Sequence, residues 1–295
     1  MMIKSGADIL NMCKEENIKI SEVAIRYEMK MNDVNKEYII HKMHHVFLEM
    51  KKSIENGMKK TDSQYEIRGK MFNDYGLMMD EYSANNKPFL GQISARAVAY
   101  AVSVMEVNCS MGKVVASPTA GSCGVLPAAI MSCMETHNLS DDKAVEGLLT
   151  AGMVGAVIGR NASLSGARGG CQAEIGSAAA MAAAAIVEMA GGTPKMALDA
   201  ASITIKNIMG LVCDPVAGLV EIPCVKRNGL GVLNALMCAD MVLAGIVSII
   251  PFDEVIAAMD KVGRQLPSSL RETSEGGIAD TPTARKIEYK IFDKL

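Results

Sequence analysis

Apolar positions recur at helical spacing along most of the chain. Val34, Tyr38, Ile39, Met43, Val46, Met50 and Ile54 fall on one helix face, with Asp33 as the predicted cap and Gly57 at the end. A second helix is predicted over Lys143–Ile158, after the capping candidate Ser140 and the acidic pair Asp141 and Asp142. A third, Glu174–Ala190, carries an alanine-rich run and stops at Gly191-Gly192. Ala197–Met209 follows Pro194, and Gly231–Ile250 stops at Pro251. No two alternating segments flank a turn dipeptide, so no hairpin is predicted. The fold class read from this pattern is mainly α, a large helical domain with Gly/Ala-rich helices buried inside it.

Charge changes the picture along the chain. Residues 1–90 hold 28 of the 63 Asp, Glu, Lys and Arg, while residues 91–250 hold only 20. The expected organisation is a charged helical region over 1–90 packed on a helical core over 91–295, the two forming one continuous domain. The apolar segment Gly231–Ile250 has the length of a membrane span, but Asn234 and Asp240 interrupt it and no Lys or Arg follows immediately. A helix buried in a large core is the expectation, with no membrane contact. Met1–Asn17 lacks a continuous apolar stretch and carries Asp8, Glu15 and Glu16, so no signal peptide is expected and the predicted location is cytoplasmic.

A net charge of −3 argues against a nucleic-acid binder, and 4% aromatic residues with no Trp leave few stacking platforms. Eight Cys in a reducing compartment are not expected to form a disulfide framework. They are small hydrophobes or metal ligands.

Four groups of residues offer chemistry. The first is the stretch Ser117-Pro118-Thr119-Ala120-Gly121-Ser122-Cys123-Gly124, just before an apolar helical run. Its glycines let backbone N–H groups converge, and its hydroxyls add donors, which suits a small anion such as a carboxylate. It reads equally as a turn leading into a helix, and it is no Walker A loop. The second is Cys171, Cys213 and Cys224, each beside Gly or Pro, where a thiolate can reach a metal. Three thiolates with one open position suit a catalytic cluster, although no C-x2-C pair marks one. The third is Arg160-Asn161-Ala162-Ser163-Leu164-Ser165-Gly166-Ala167, a polar stretch that lines a pocket or merely connects helices. The fourth is His41, His44 and His45, which share a polar helix face with Glu37, Lys51 and Lys52 and read as solvated.

Taken together, four segments resemble the α subunit of iron–sulfur-dependent L-serine dehydratase in its two-subunit bacterial form. They are Ser117–Ser122, Asn161–Ala167, Gly170-Cys171-Gln172-Ala173-Glu174-Ile175-Gly176-Ser177, and Cys213-Asp214-Pro215-Val216-Ala217-Gly218-Leu219-Val220-Glu221-Ile222-Pro223-Cys224. They stand in family order at near-family spacing, and the resemblance is strong over roughly residues 90 to 290 and loose in the N-terminal helices. It implies a mainly helical catalytic unit and a lyase activity, dehydration and deamination of L-serine to pyruvate and ammonia. It implies a [4Fe-4S] cluster on Cys171, Cys213 and Cys224. It also implies a substrate site built from Ser117, Thr119, Ala120, Gly121, Ser122, Gly124, Asn161, Ser163 and Ser165. The remaining cysteines, Cys13, Cys109, Cys123, Cys133 and Cys238, are expected to pack as hydrophobes, with Cys123 placed to lie beside the site.

The sequence departs from the family at two points. Single-chain relatives end in a Cys that reaches the cluster, whereas this sequence ends Phe292-Asp293-Lys294-Leu295. Two histidine motifs of the family's β portion are also absent. A β subunit is therefore the implied partner, in a hetero-oligomer. The general base has no assignment; Lys113 and His41 are the candidates by residue type. Three rival readings remain open: a cysteine desulfidase of similar cluster chemistry, a pyridoxal-phosphate dehydratase using Lys113, and a non-catalytic cluster-carrying subunit.

Overall fold

The computed structural model describes residues 3–60 and 71–292. Among these, the regular structure is helical: α1 (Gly6–Glu16), α2 (Ile20–Asn32), α3 (Lys36–Gly57), α4 (Tyr75–Asn85), α5 (Gly91–Cys109), α6 (Val125–His137), α7 (Asp141–Asn161), α8 (Gly166–Gly169), α9 (Cys171–Met189), α10 (Pro194–Asn207), α11 (Cys224–Leu243), α12 (Phe252–Gln265) and α13 (Pro282–Phe292). The mainly α expectation holds. The one β feature among the described residues is an isolated parallel bridge between Cys213 and Arg271.

α9 is the centre of the molecule. Every residue from Cys171 to Met189 is buried except Glu174. Alanines fill most of its surface, so α6, α7, α10 and α11 all approach it closely. Most buried apolar side chains form one continuous cluster running from Ile3 to Met259, to which the N-terminal helices α1 to α3 contribute directly, and Val216, Ala217 and Ala284 form a small second one.

Buried carboxylates from distant helices finish the N-termini of the outer ones. Glu188 near the end of α9 accepts from Ile20 N at 2.9 Å and Ser21 N at 3.1 Å, and from Thr150 Oγ1 at 2.8 Å. Glu106 of α5 accepts from Tyr75 N and Gly76 N at the start of α4. Asp253 of α12 accepts from Gly6 N and Ala7 N of α1. The residues preceding α2 and α4, Lys19 and Asp74, make no side-chain cap of their own. The tertiary carboxylate supplies the missing acceptor and meets the positive end of the helix dipole.

Helices α7, α9 and α10 begin or end two or three residues from their predicted limits, and two other boundaries differ in kind. The cap of α3 is Asn35, whose side chain accepts from Tyr38 N, while Asp33 ends α2 in a left-handed conformation. The helix predicted as Gly231–Ile250 runs from Cys224 to Leu243, and the chain then turns at Gly245, whose φ is +96°. The apolar run continues past that turn, so hydropathy alone does not mark it. No helix among the described residues is long and apolar enough to cross a membrane.

Candidate active site

The N-terminus of α9 is where three of the four candidate groups meet. Gly170, at φ +76°, is the residue that lets the chain leave α8 and enter α9 without a Cβ striking the Leu211 carbonyl, which would lie 2.8 Å away. Cys171 opens α9 and is buried. Cys213 lies on an extended stretch pinned to the C-terminal region: its N–H donates to Leu270 O at 2.9 Å, and its carbonyl accepts from Glu272 N at 2.7 Å. Cys224 opens α11 and is also buried.

The three thiols feel one another. Burial raises all three above the ordinary 9.0, Cys171 to about 11. After burial, proximity to Cys171 is the leading cause for both Cys213 and Cys224. The Arg227 guanidinium offsets part of the effect at Cys171. Arg227 is itself fixed by Val212 O at 2.7 Å and by the buried Asp214 carboxylate at 2.9 Å. No group of three or more His, Cys, Asp and Glu among the described residues is arranged to hold a single metal ion.

The Ser117–Gly124 loop closes over the same region. It contains a cis Ser117–Pro118 bond and a short 3-10 turn, Ala120–Ser122. Thr119 caps that turn in a reciprocal arrangement with Ser122, their hydroxyl oxygens 3.0 Å apart. The Thr119 hydroxyl also donates to the Glu174 carboxylate. Asn228 of α11 ties the loop to the cysteine helix. Its Oδ1 accepts from Gly124 N at 3.0 Å, and its Nδ2 donates to Gly121 O at 2.8 Å and Cys224 O at 2.9 Å.

Glu174 is the residue on which these segments converge. A methyl group on Gly121 would sit 2.7 Å from one of its carboxylate oxygens. A methyl group on Gly166 would sit 3.3 Å from the other, and 2.8 Å from Cys213 Sγ. Both glycines therefore leave space beside the carboxylate and the thiol. Burial is the main cause raising the Glu174 pKa; the Thr119 hydrogen bond opposes it and the nearby Glu272 adds to it. Sequence reasoning places Glu174 within a motif but gives it no role. The signal that could find it is its isolation: α9 holds just two charged residues, Glu174 and Glu188, in an otherwise apolar helix. Asn228, one turn into α11, is likewise missed by sequence reasoning.

The polar stretch 161–165 is divided. Ser165 precedes α8, and Gly166 joins it to the thiols. Asn161 spends its amide N–H groups on Val157 O and Lys4 O, at 2.8 Å each. Asn161 and Ser163 face a different cavity, of about 580 Å³, that none of the three cysteines lines. Lys113 is exposed and paired to Glu49 at 2.9 Å, and His41 is exposed with its ring edge-on to His45. These contacts hold both on the solvent side, which leaves no geometric support for either as the base. Cys123 is buried with Met105 Sδ 3.7 Å from its thiol, and the Glu174 carboxylate is near enough to add to burial in raising its pKa.

The chain is similar to known proteins over most of its length. A family model described as serine dehydratase alpha chain matches residues 15–279. The protein is 47% identical to the probable L-serine dehydratase, alpha chain, of Bacillus subtilis (strain 168), covering 99% of this chain and 96% of that one. It is 45% identical to the L-serine dehydratase, alpha chain, of Peptoniphilus asaccharolyticus, covering 97% of each. It is 32% identical to L-serine dehydratase 1 of Escherichia coli (strain K12), where the match covers 94% of this chain but 61% of the relative.

Proposed function

Since the chain belongs to the serine dehydratase alpha chain family, we propose that it is the α subunit of an L-serine ammonia-lyase, converting L-serine to pyruvate and ammonia. The observation that carries this reading is the convergence of Cys171, Cys213 and Cys224 with the Thr119–Glu174 pair at the start of α9.

A [4Fe-4S] cluster held by the three cysteines is part of the proposal. The donor set fits it. All three are free thiols, they come from separate backbone segments, and their buried sulfurs repel one another as they ionise, which bound iron would reverse. When bound, the cluster supplies a Lewis acid for the departing hydroxyl.

The protein's own residues do the rest. Ser117, with the N–H groups of Ala120 and Gly121, presents donors to the substrate carboxylate, while Thr119 and Ser122, bonded to each other and Thr119 to Glu174, shape the loop beside it. Asn228 holds that loop at a fixed distance from Cys224. Glu174 stands between loop and thiols, and we assign it the Cα proton; its burial favours the neutral form and so makes the carboxylate a stronger base. Ser165 extends the site along the approach to α8, whereas Asn161 and Ser163 line the separate cavity and take no part in this reading of it.

The reading also takes residues 1–90 as a helical layer packed on the catalytic core 91–295, supported by their shared core cluster. It pairs the protein with a β subunit. The relative from Escherichia coli is longer than the matched region, and we take that extra length as the counterpart of the partner proposed here. Eight free thiols suit a cytoplasmic location. Cys213→Ala tests the assignment. It is expected to remove both the visible absorption of the cluster and pyruvate formation; normal turnover in that variant would overturn it.

A further inference from the structure

The cavity lined by Asn161 and Ser163 carries chemistry that the proposed dehydration does not use. The guanidinium groups of Arg160, Arg168, Arg264 and Arg271 line it with the Asp260 carboxylate; Arg160 has interactions of its own, so Arg168 and Arg271 are the groups that face a ligand. Asp260 is already committed to Arg264 at 2.7 Å. Arg271 Nε is buried with no hydrogen-bond partner among the described residues. A buried donor without an acceptor marks a place where an acceptor is missing, and guanidinium forks match carboxylate oxygens in pairs.

We propose that this cleft binds a small net-anionic carboxylate of the 2-oxo acid type, at a site separate from the Ser117–Gly124 loop. Net charge selects the class. A zwitterionic amino acid would bring its ammonium group against the same guanidinium cluster, whereas a 2-oxo acid brings only acceptors. The cleft also has a physical link to the thiols. Arg271 forms the β-bridge with Cys213, and Arg168 lies two residues beyond Gly166, which packs against Cys213 Sγ. The inference rests on the serine dehydratase reading only in its choice of pyruvate, that reaction's product, as the probe.

The test is calorimetric titration of the full-length protein at low ionic strength, metal-free and cluster-loaded, with pyruvate, L-serine and inorganic phosphate in separate arms. Pyruvate is expected to bind in both forms, at least about ten-fold more tightly than L-serine, and to weaken as salt is added. The double variant R168Q/R271Q is expected to lose about ten-fold or more in pyruvate affinity at an unchanged melting temperature. If that variant fails to fold, R168Q alone, on an exposed side chain, is expected to lose about three-fold. Unchanged pyruvate affinity in the folded variant, serine binding as tight as pyruvate, or no pyruvate binding at all overturns the proposal. Phosphate binding more tightly than pyruvate overturns the carboxylate class. Because binding is read without turnover, a protein that binds pyruvate but never acts on serine would sink the dehydratase reading and leave this one standing.

Discussion

At the scale of single residues, Thr119 and Glu174 are the pair that joins substrate loop to cluster helix. Thr119→Ala removes the hydroxyl and leaves the Glu174 carboxylate without that donor. The expected outcome is a fall in kcat/KM of about ten- to a hundred-fold with iron content unchanged, measured by serine kinetics alongside iron analysis. Loss of iron at an unchanged KM would make the loop structural. Glu174→Gln keeps shape and hydrogen bonding but removes the base, and kcat is expected to fall at least about a hundred-fold with little change in KM. A buried thiol outside the site offers a pH test. Burial pushes Cys133 from 9.0 up to about 12. Below pH 9 both folded and unfolded forms keep that proton. As pH rises from 9 towards 12 the unfolded form releases it first, so the thiol's contribution to stability is lost across that interval. Urea midpoints recorded from pH 8 to 11 should decline less steeply in Cys133→Ala than in the parent protein. Gly and Pro beside the three proposed ligand cysteines are a weak local signal in the sequence, and it is the resemblance to the dehydratase family that singles out these cysteines and the loop. Glu174 does not stand out there, because one acidic residue in a helical first turn reads first as a dipole partner.

At the scale of elements, the outer helices depend on carboxylates that arrive from elsewhere in the chain. α2 begins with Lys19, which makes no cap, and Glu188 supplies both backbone acceptors from 167 and 168 residues away. Glu188→Ala leaves two N–H groups and the Thr150 hydroxyl without their acceptor in a buried place. The expected cost is about 2–4 kcal/mol, read as a shift in the chemical unfolding midpoint with little change in slope. A shift within error would mean that water replaces the carboxylate. Such caps leave no local sequence signal at the start of α2 or α4, whereas the bodies of α3, α7, α9 and α10 are marked by their own apolar spacing. Asp33 looks like the cap of α3, yet Asn35 fills that role two residues later. The start of α11 is hidden because its first turns carry Lys226, Arg227 and Asn228, which break the apolar pattern, and of these Arg227 and Asn228 hold the site's segments in place.

At the scale of the whole molecule, a polar site is built at the hydrophobic centre. α9 is buried along its length, and its one solvent-approachable residue is the carboxylate at its N-terminus. The mainly α class is legible because apolar positions recur at helical spacing and no alternating segments flank a turn dipeptide. The arginine cleft is not, since its residues come from positions as far apart as 160 and 271 and have no common motif. The exposed apolar residues Ile246, Val247, Ile249 and Ile250, just after α11, continue the helical hydropathy pattern; they lie instead on a surface turn. The central claim joins three cysteines to serine chemistry, and one anaerobic measurement addresses it. The full-length protein is reconstituted with iron and sulfide, alone and with a co-expressed β subunit, and pyruvate formation from L-serine is followed while the visible spectrum is recorded. Cluster absorption together with pyruvate, and loss of both on exposure to air, is the predicted result. A stable cluster with no pyruvate from serine in either preparation, or pyruvate formed without any cluster absorption, would contradict it.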